Sequence, residues 1–519
     1  ADGYIAHIGV RPGSFGRFIV INHPNGLSTL YGHLNNFFPE LNQYVIDEQY
    51  KKESWAIELD FTKSQFPVTK GKFIAYSGNT GGSQGPHLHF EIMDTKTTKR
   101  LNPLLFGMPL VDVTPPALIR LAMYNRNSSM YDQSPQLFSL KKTAQEYVLA
   151  KDNLITTGFS RLSFGIQAYD KSNPHSSPNG IYLAELSVDD EPQIRFVIDS
   201  IDYDETADIN AHIDYKYDYN GGPSIQLLSQ FPGDGGGVYK KLKNNGIIEL
   251  TDTNVHVVHI TVKDADNNTS VLSFPVQYDP SKALTDKYNQ PYPQLLPGQT
   301  NIISQPDFMA SLPADALYDT IPSIYSRSEA HSAFAVTAAH TLDDAYIPLH
   351  GNIRLGIKPN REIPDAWKDK ILIQRSARST SVRKATWDNG WLTASFGDFG
   401  TYQAFADTTP PSINELGKGD TVNLSSSTRI LFTPRDNFGV IRNFRAELDG
   451  RWLCFTNDKG KNWIYKFDER CPYGVHHLKV SMEDLAGNRT EKEWWFRRAP
   501  YTPPVKKKVT HKSSSKKHK

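Results

Sequence analysis

The sequence predicts an all-β chain built of several packed modules, and three observations carry that expectation. Its 519 residues exceed what one core can hold, since single cores stop growing near about 250–300 residues. Short Val/Ile/Tyr/Phe/Thr runs are broken repeatedly by Asn, Asp, Gly and Pro, among them 33 prolines and 35 glycines, which is the pattern of many strands joined by turns. Long amphipathic helical patterns are scarce, and Glu40 to Leu59 is the best helical candidate near the front.

The elements follow in order. Tyr4–Ile8, Gly16–His23 and Leu27–His33 read as strands separated by Arg11-Pro12-Gly13 and Pro24-Asn25-Gly26. After the helical candidate come strands at Phe73–Ser77 and His87–Met93, and Leu101 to Gly107 closes the block. A boundary then shows itself twice, as Val113-Thr114-Pro115-Pro116 and Thr408-Thr409-Pro410-Pro411, each ahead of a strand-rich stretch. The two stretches also end alike: Val255 to Asn268 matches the register of Val475 to Asn488, a strand running into a tight Asp/Asn/Gly turn. That is hairpin chemistry, and it resembles the end of bacterial immunoglobulin-like modules. The expected organisation is a front domain at 1–113, β-sandwich modules at 114–280 and 407–500, a Pro-rich linker with a third β-rich module at 281–406, and a basic disordered tail at 501–519. In the third module the expected strands include Asn352–Ile357, Lys370–Gln374 and Trp391–Phe396, and nothing in it reads as catalytic.

Composition excludes some classes of function. No apolar run approaches the roughly 18–20 residues of a membrane span, so no transmembrane segment is expected. A net charge of +1 offers no broad field for nucleic acid. Cys454 and Cys471 are the only cysteines; they either pair in an oxidising compartment or stay as idle thiols. With no Cys-rich zinc spacing, a metal site must use His and carboxylate.

The most informative peptide is Gly85-Pro86-His87-Leu88-His89-Phe90-Glu91-Ile92. Alternation along a strand puts His87 and His89 on one face and Leu88 and Phe90 on the other, so two imidazoles stand side by side over an apolar underside. A bare HxH also occurs on solvated strand faces. Here, however, it follows Tyr31-Gly32-His33-Leu34 and the turn Gly78-Asn79-Thr80-Gly81. Together the YxHL segment, the GxTG turn and the GPHLHFE strand resemble the lysostaphin/LytM family of zinc peptidoglycan endopeptidases, over residues 1 to about 107.

That resemblance implies an antiparallel sheet of the duplicated-hybrid-motif type, followed here by three sandwich modules. It implies zinc as cofactor, His89 as a zinc ligand, and His33 and His87 as the catalytic imidazoles. Peptidoglycan peptide would be the substrate, and the bacterial cell envelope, periplasmic or outer-membrane-associated, the location. The family's two other ligands come from an HxxxD segment ahead of the strand that opens here as Ala1-Asp2-Gly3-Tyr4. A zinc site needs three or four protein ligands, and only His89 is assigned. His7 and Asp2 do not fit the spacing, and His7 reads as a strand-surface histidine. The chain opens mid-hairpin without a Met or a leader, so the expectation is an active enzyme whose HxxxD segment lies upstream. The alternative is an inactive peptidase-like scaffold that binds peptidoglycan or activates an envelope partner, with the β-sandwich modules as the partner surface.

Other features take plainer readings. His256, His259, His476 and His477 are expected to be structural or merely exposed. Asp189-Asp190 and Gly233 to Gly237 read as hairpin loops, and the latter lacks the Lys-Ser/Thr of a phosphate cradle. Trp494 and Trp495 are expected to staple a sandwich. The Lys-rich tail from Val505 reads as a solubilising end, with an electrostatic tether to anionic envelope polymers or headgroups as the other reading.

Overall fold

The computed structural model describes residues 1–108, 111–151, 153–172, 177–283, 292–329 and 332–501. The expectations for the basic tail and for part of the Pro-rich linker fall outside these residues. Strands dominate throughout, and the chain is an all-β protein of sandwich-like modules.

The front domain is built from β1 (Gly3–Val10), β2 (Arg17–Asn22), β3 (Leu27–Gly32), β4 (Asn36–Phe37), α1 (Pro39–Lys51), β5 (Ile57–Asp60), β6 (Pro67–Val68), β7 (Ala75–Tyr76), β8 (His89–Asp94) and β9 (Arg100–Leu101). Its main sheet runs β9-β8-β3-β2-β1-β5, and β6 also pairs with β1. A register shift between Ile5 and His7 divides the outer edge of β1, so that Gly3 and Tyr4 meet β6 while His7 to Val10 meet β5. Ile5, Ile8, Ile19 and Ile21 fill one face of the sheet together with Leu41 and Val45 of α1.

The helix is shorter than the sequence suggests. Pro39 starts it with a preset φ, Glu40 sits in the first turn and Lys51 in the last, which suits the helix dipole. Leu41, Val45 and Gln49 recur at helical spacing and are buried. The helix stops at Lys51, and Glu53 takes a left-handed φ of 45°. Ile57 to Leu59, expected to be helical, instead belong to the strand Ile57–Asp60, which alternates buried and exposed and adds to the edge of β1. Alternation with period two can satisfy a sheet edge but not a helix face.

Beyond the front domain, Ala117–Asn125, Arg161–Tyr169, Leu183–Val188, Val255–Lys263 and Thr269–Tyr278 belong to a large sheet system around a main core, with a second buried cluster that takes Ala122 and Tyr124. The two-residue strand Ser200–Ile201 leaves this module and pairs with β9, extending the front sheet. Residues from Asn301 to Ala406 form two five-stranded sheets, including Pro348–Ile357, Ile371–Ser376 and Trp391–Asp398, over their own core. In the last module, Gly474–Asp484 and Arg489–Arg498 form the hairpin that matches Val255–Lys263 and Thr269–Tyr278.

Asp189 and Asp190 form the expected two-residue hairpin turn, with φ of 49° and 64°. The glycine run does not. Gly233 packs so closely on the Leu317 carbonyl that a Cβ would lie 1.9 Å from it, and Gly236 lies against His212. Trp494 is buried against Phe432 as expected, but Trp495 is half exposed beside His477. His256 and His476 are held by Asp189 and Asp449. Cys454 and Cys471 are both free thiols. Cys454 joins the core of the front domain while Cys471 sits inside the last module, so the two face different cores.

One buried acid makes stability depend on pH. Asp343 is buried, its Oδ1 accepts from the Ile324 N–H at 2.9 Å, and its Oδ2 has no partner among the described residues. Burial pushes its carboxyl up to about 7. In the unfolded chain an Asp ionises near about 3.9. A folded value above the unfolded one gives stability that is complete below about pH 4 and is lost as pH rises through about 7. Asp343→Asn keeps the acceptor. It should melt higher than the wild type at pH 8 and no higher at pH 4, as read by calorimetry at both pH values.

Candidate functional site

Three segments far apart in sequence meet at one end of the front sheet. β3 and β8 pair antiparallel with Gly32 opposite His89. Because residue 32 is glycine, its backbone can approach closely, and a Cβ there would already lie 3.3 Å from that of His89. His33 follows at the end of β3 in a left-handed conformation, φ 60°, which turns its ring back over the sheet end. His87 lies just before β8 and is held by a bridge to Gly78 in the GxTG turn.

The three imidazoles converge. The His33 ring centroid is 4.7 Å from that of His87 and 5.7 Å from that of His89, and one ring nitrogen of each lies within 4.8 Å of the others. The predicted site residues are thus all brought together. His7 is not among them: its ring is spent on Glu58 and Asp60, each at 2.7 Å. Asp2 caps the Lys70 N–H instead. The expected apolar underside is only partial, since Phe90 packs on Tyr31 but Leu88 is 47% exposed. Leu88 precedes the paired part of the strand, so no neighbouring strand covers it.

Each ring has one nitrogen committed. His33 Nδ1–H donates to the Thr80 carbonyl at 2.8 Å. His87 Nδ1–H donates to the Gly85 carbonyl at 2.9 Å and lies 3.2 Å from Ser83 Oγ. A carbonyl can only accept, so these bonds place the proton on Nδ1 and leave Nε2 of both rings as a lone pair. His89 Nε2 is 2.9 Å from Glu91 Oε1, leaving its Nδ1 free. Arg100 holds the other oxygen of Glu91 at 3.1 Å. Burial raises the Glu91 carboxyl, but the hydrogen bond with His89 and the charge of Arg100 outweigh it, and the net shift is downward. His33 is shifted down, first by its burial and then by the neighbouring imidazoles and Lys459, against the pull of the Thr80 carbonyl.

Beyond the three histidines expected from sequence, Glu91 and the carbonyls of Thr80 and Gly85 fix the rings. Glu91 was readable in principle, since it lies two residues after His89 on the same strand face. Thr80 was not. Its Oγ1 donates to the Leu34 carbonyl at 2.9 Å and accepts from the Arg17 N–H at 2.9 Å, tying the turn to the segment that carries His33.

The last module reaches this site. The Asp458 carbonyl accepts from the Gly81 N–H at 2.8 Å, and its carboxylate pairs with Arg17. Lys459 Nζ donates to Asn79 Oδ1 at 3.0 Å and to the Ser83 carbonyl at 2.7 Å. A cleft of about 560 Å³ separates the two modules beside this contact, with Arg17, Tyr50, Thr80 and Asp458 in its wall; the three imidazoles are not part of it.

Residues 42–103 match the model of Peptidase family M23, and residues 294–407 match the Zu5-like domain. The chain is 32% identical over 114 residues to the DD-carboxypeptidase/endopeptidase Mpg of Neisseria meningitidis serogroup B, covering 22% of this chain and 20% of that protein. The Neisseria gonorrhoeae Mpg matches equally, at 32% over 114 residues and the same coverage. An uncharacterized metalloprotease of Haemophilus influenzae is 30% identical over 109 residues, or 21% of this chain and 18% of that protein. The chain therefore spans about a fifth of the length of the curated relatives it matches. Its front domain is of the M23, LytM-like type.

Two measurements check the site's supports. Thr80→Val keeps the shape but strands the Arg17 N–H and the Leu34 carbonyl, and should cost about 1–3 kcal/mol in urea unfolding of the front domain. Lys459→Met should speed amide exchange across residues 79–86 and leave α1 unchanged, as measured by hydrogen–deuterium exchange.

Proposed function

We propose that the front domain is the catalytic part of a zinc-dependent peptidase that hydrolyses peptide cross-links in bacterial peptidoglycan. The observation that carries this is the convergence of His33, His87 and His89 in a domain of the M23 type. Neutral imidazoles are suitable zinc ligands. A ligating His whose second nitrogen bonds a carboxylate is a recurring arrangement, and the contact between His89 and Glu91 has that form. His89 would hold the metal through Nδ1, with the HxxxD segment implied by the resemblance supplying the other ligands. Bound zinc would supply Lewis-acid polarisation of the scissile carbonyl.

The remaining work belongs to this chain's side chains. His87 Nε2 and His33 Nε2 present lone pairs beside the His89 ring, and their Nδ1 atoms are fixed by carbonyls. Either can take a proton from an attacking water and return it to the leaving amine, because imidazole exchanges protons near neutral pH. Once protonated, the same Nε2–H can hydrogen-bond an oxygen that gains charge. The lowered pKa of His33 favours the neutral, proton-accepting form at pH 7. The β modules would position the domain or bind an envelope partner. No helix among the described residues is long and apolar enough to cross a membrane.

The test uses the native protein with cross-linked muropeptides. Cleavage of an amide bond is expected, and His87→Ala should reduce it by about a hundredfold or more. His89→Ala should lower zinc content measured by atomic absorption. A native protein that binds no zinc and leaves muropeptides intact would turn the conclusion to a non-catalytic scaffold.

A further inference from the structure

Two acidic triads stand apart from the cluster of imidazoles. Asp112, Asp170 and Asp264 form one, and Asp407, Asp436 and Asp484 the other; within each triad, one carboxylate oxygen per residue lies within 4.8 Å of the other two. The triads occupy equivalent places in the internal repeat. Asp112 and Asp407 each stand three residues before a Pro-Pro pair, on the segment that enters the module. Asp264 and Asp484 each open the turn of the closing hairpin. Asn268 Nδ2 donates to the Asp112 carbonyl at 3.1 Å and to Asp264 Oδ2 at 2.8 Å. Asn488 Nδ2 repeats this with the Asp407 carbonyl at 2.9 Å and Asp484 Oδ2 at 2.8 Å.

The hydrogen bonds leave specific oxygens unused. Asp407 is 1% exposed; its Oδ1 accepts from Thr409 N–H and Asn437 Nδ2, while its Oδ2 has no partner among the described residues. Asp436 Oδ2 accepts from the backbone N–H groups of Phe438 and Val440, and its Oδ1 is buried without a partner. In the other triad Asp170 is 5% exposed and its Oδ1 likewise lacks a partner. No salt bridge reaches any of the six acids among the described residues. The nearby Lys370 and Lys384 donate to the carbonyls of Gly487 and Ala486 instead. Burial first, and then the neighbouring carboxylates, push Asp170 up to about 6, and Asp407 and Asp436 are raised too.

Buried carboxylates stacked together without a cation are costly, and a buried acceptor without a donor adds to that cost. One hard divalent cation removes both penalties. Calcium takes six to eight oxygen ligands in flexible geometry, and the triads offer oxygens only, with no imidazole or thiolate to select a transition metal. We propose that each triad is a calcium-class cation site that clamps the strand entering its module to that module's closing hairpin. Asp407 also ends the preceding module, where its N–H bonds the Lys370 carbonyl at 2.8 Å. A cation there ties the third module to the fourth.

The experiment is calcium titration by calorimetry on the full chain stripped with a chelator. Two sites are expected, half-saturating below about 1 mM, and Asp170→Asn and Asp436→Asn should each remove one. At a hundredfold excess over the dissociation constant, calcium should raise the melting temperature of these modules by about 5 °C or more. The two Asn variants without calcium should melt at or above the stripped wild type, because they relieve repulsion, which shows that they fold. No calcium binding at millimolar concentration, or two sites persisting in the double variant, would overturn the proposal. So would stability that follows pH but not calcium, the behaviour of triads that merely share protons.

Discussion

The ladder between β3 and β8 is the constraint on which the candidate site rests. It sets Gly32 opposite His89, and the missing side chain at residue 32 leaves room for the rings that arrive from either strand. Everything else at the site adjusts to that register. A slip of one residue would send His89 to the other face of the sheet and separate it from His33. The left-handed backbone at His33 is disfavoured for a residue with a side chain. It is held by hydrogen bonds at both ends: the His33 N–H to the Phe15 carbonyl at 2.8 Å, and its ring to the Thr80 carbonyl.

A second constraint acts over a longer range. The last module folds back on the first, so the chain's modules close on themselves. Arg445 pairs with Glu53 at 2.7 Å, Arg470 lies 4.1 Å over the Tyr50 ring, and Trp452 meets the same ring edge-on at 5.1 Å. A half-exposed ion pair contributes only about 0–1 kcal/mol. Buried aromatic surface and the backbone bond from Gly81 to Asp458 therefore hold more of the contact. Closure of this kind requires the intervening junctions to keep their angles. The two acidic triads sit where segments enter the second and fourth modules, which is where stiffness would matter most.

Much of this was legible in the residues. Period-two alternation gave the strands, and the repeated Asp/Asn turns gave the matching hairpins, because both depend on neighbours within a few positions. The pairing of His87 with His89 on one face is equally local. The helix end is hard to place from sequence because Ile57 and Leu59 are only two apolar residues, too few to set a period against the helical spacing of Leu41 and Val45. Only the free edge of β1 selected the strand.

The sequence by itself determined an all-β chain, its repeat, and the identity of three histidines with the motifs around them. The tertiary structure decided which nitrogen of each ring remains available, because that depends on carbonyls and carboxylates brought in by folding: Thr80, Gly85 and Glu91. It also decided that Asp170 joins Asp112 and Asp264, and that a lysine of the last module anchors the loop beside His87. Those contacts join residues far apart in the chain, so no local pattern records them. They exist only once apolar burial has brought the strands and modules together.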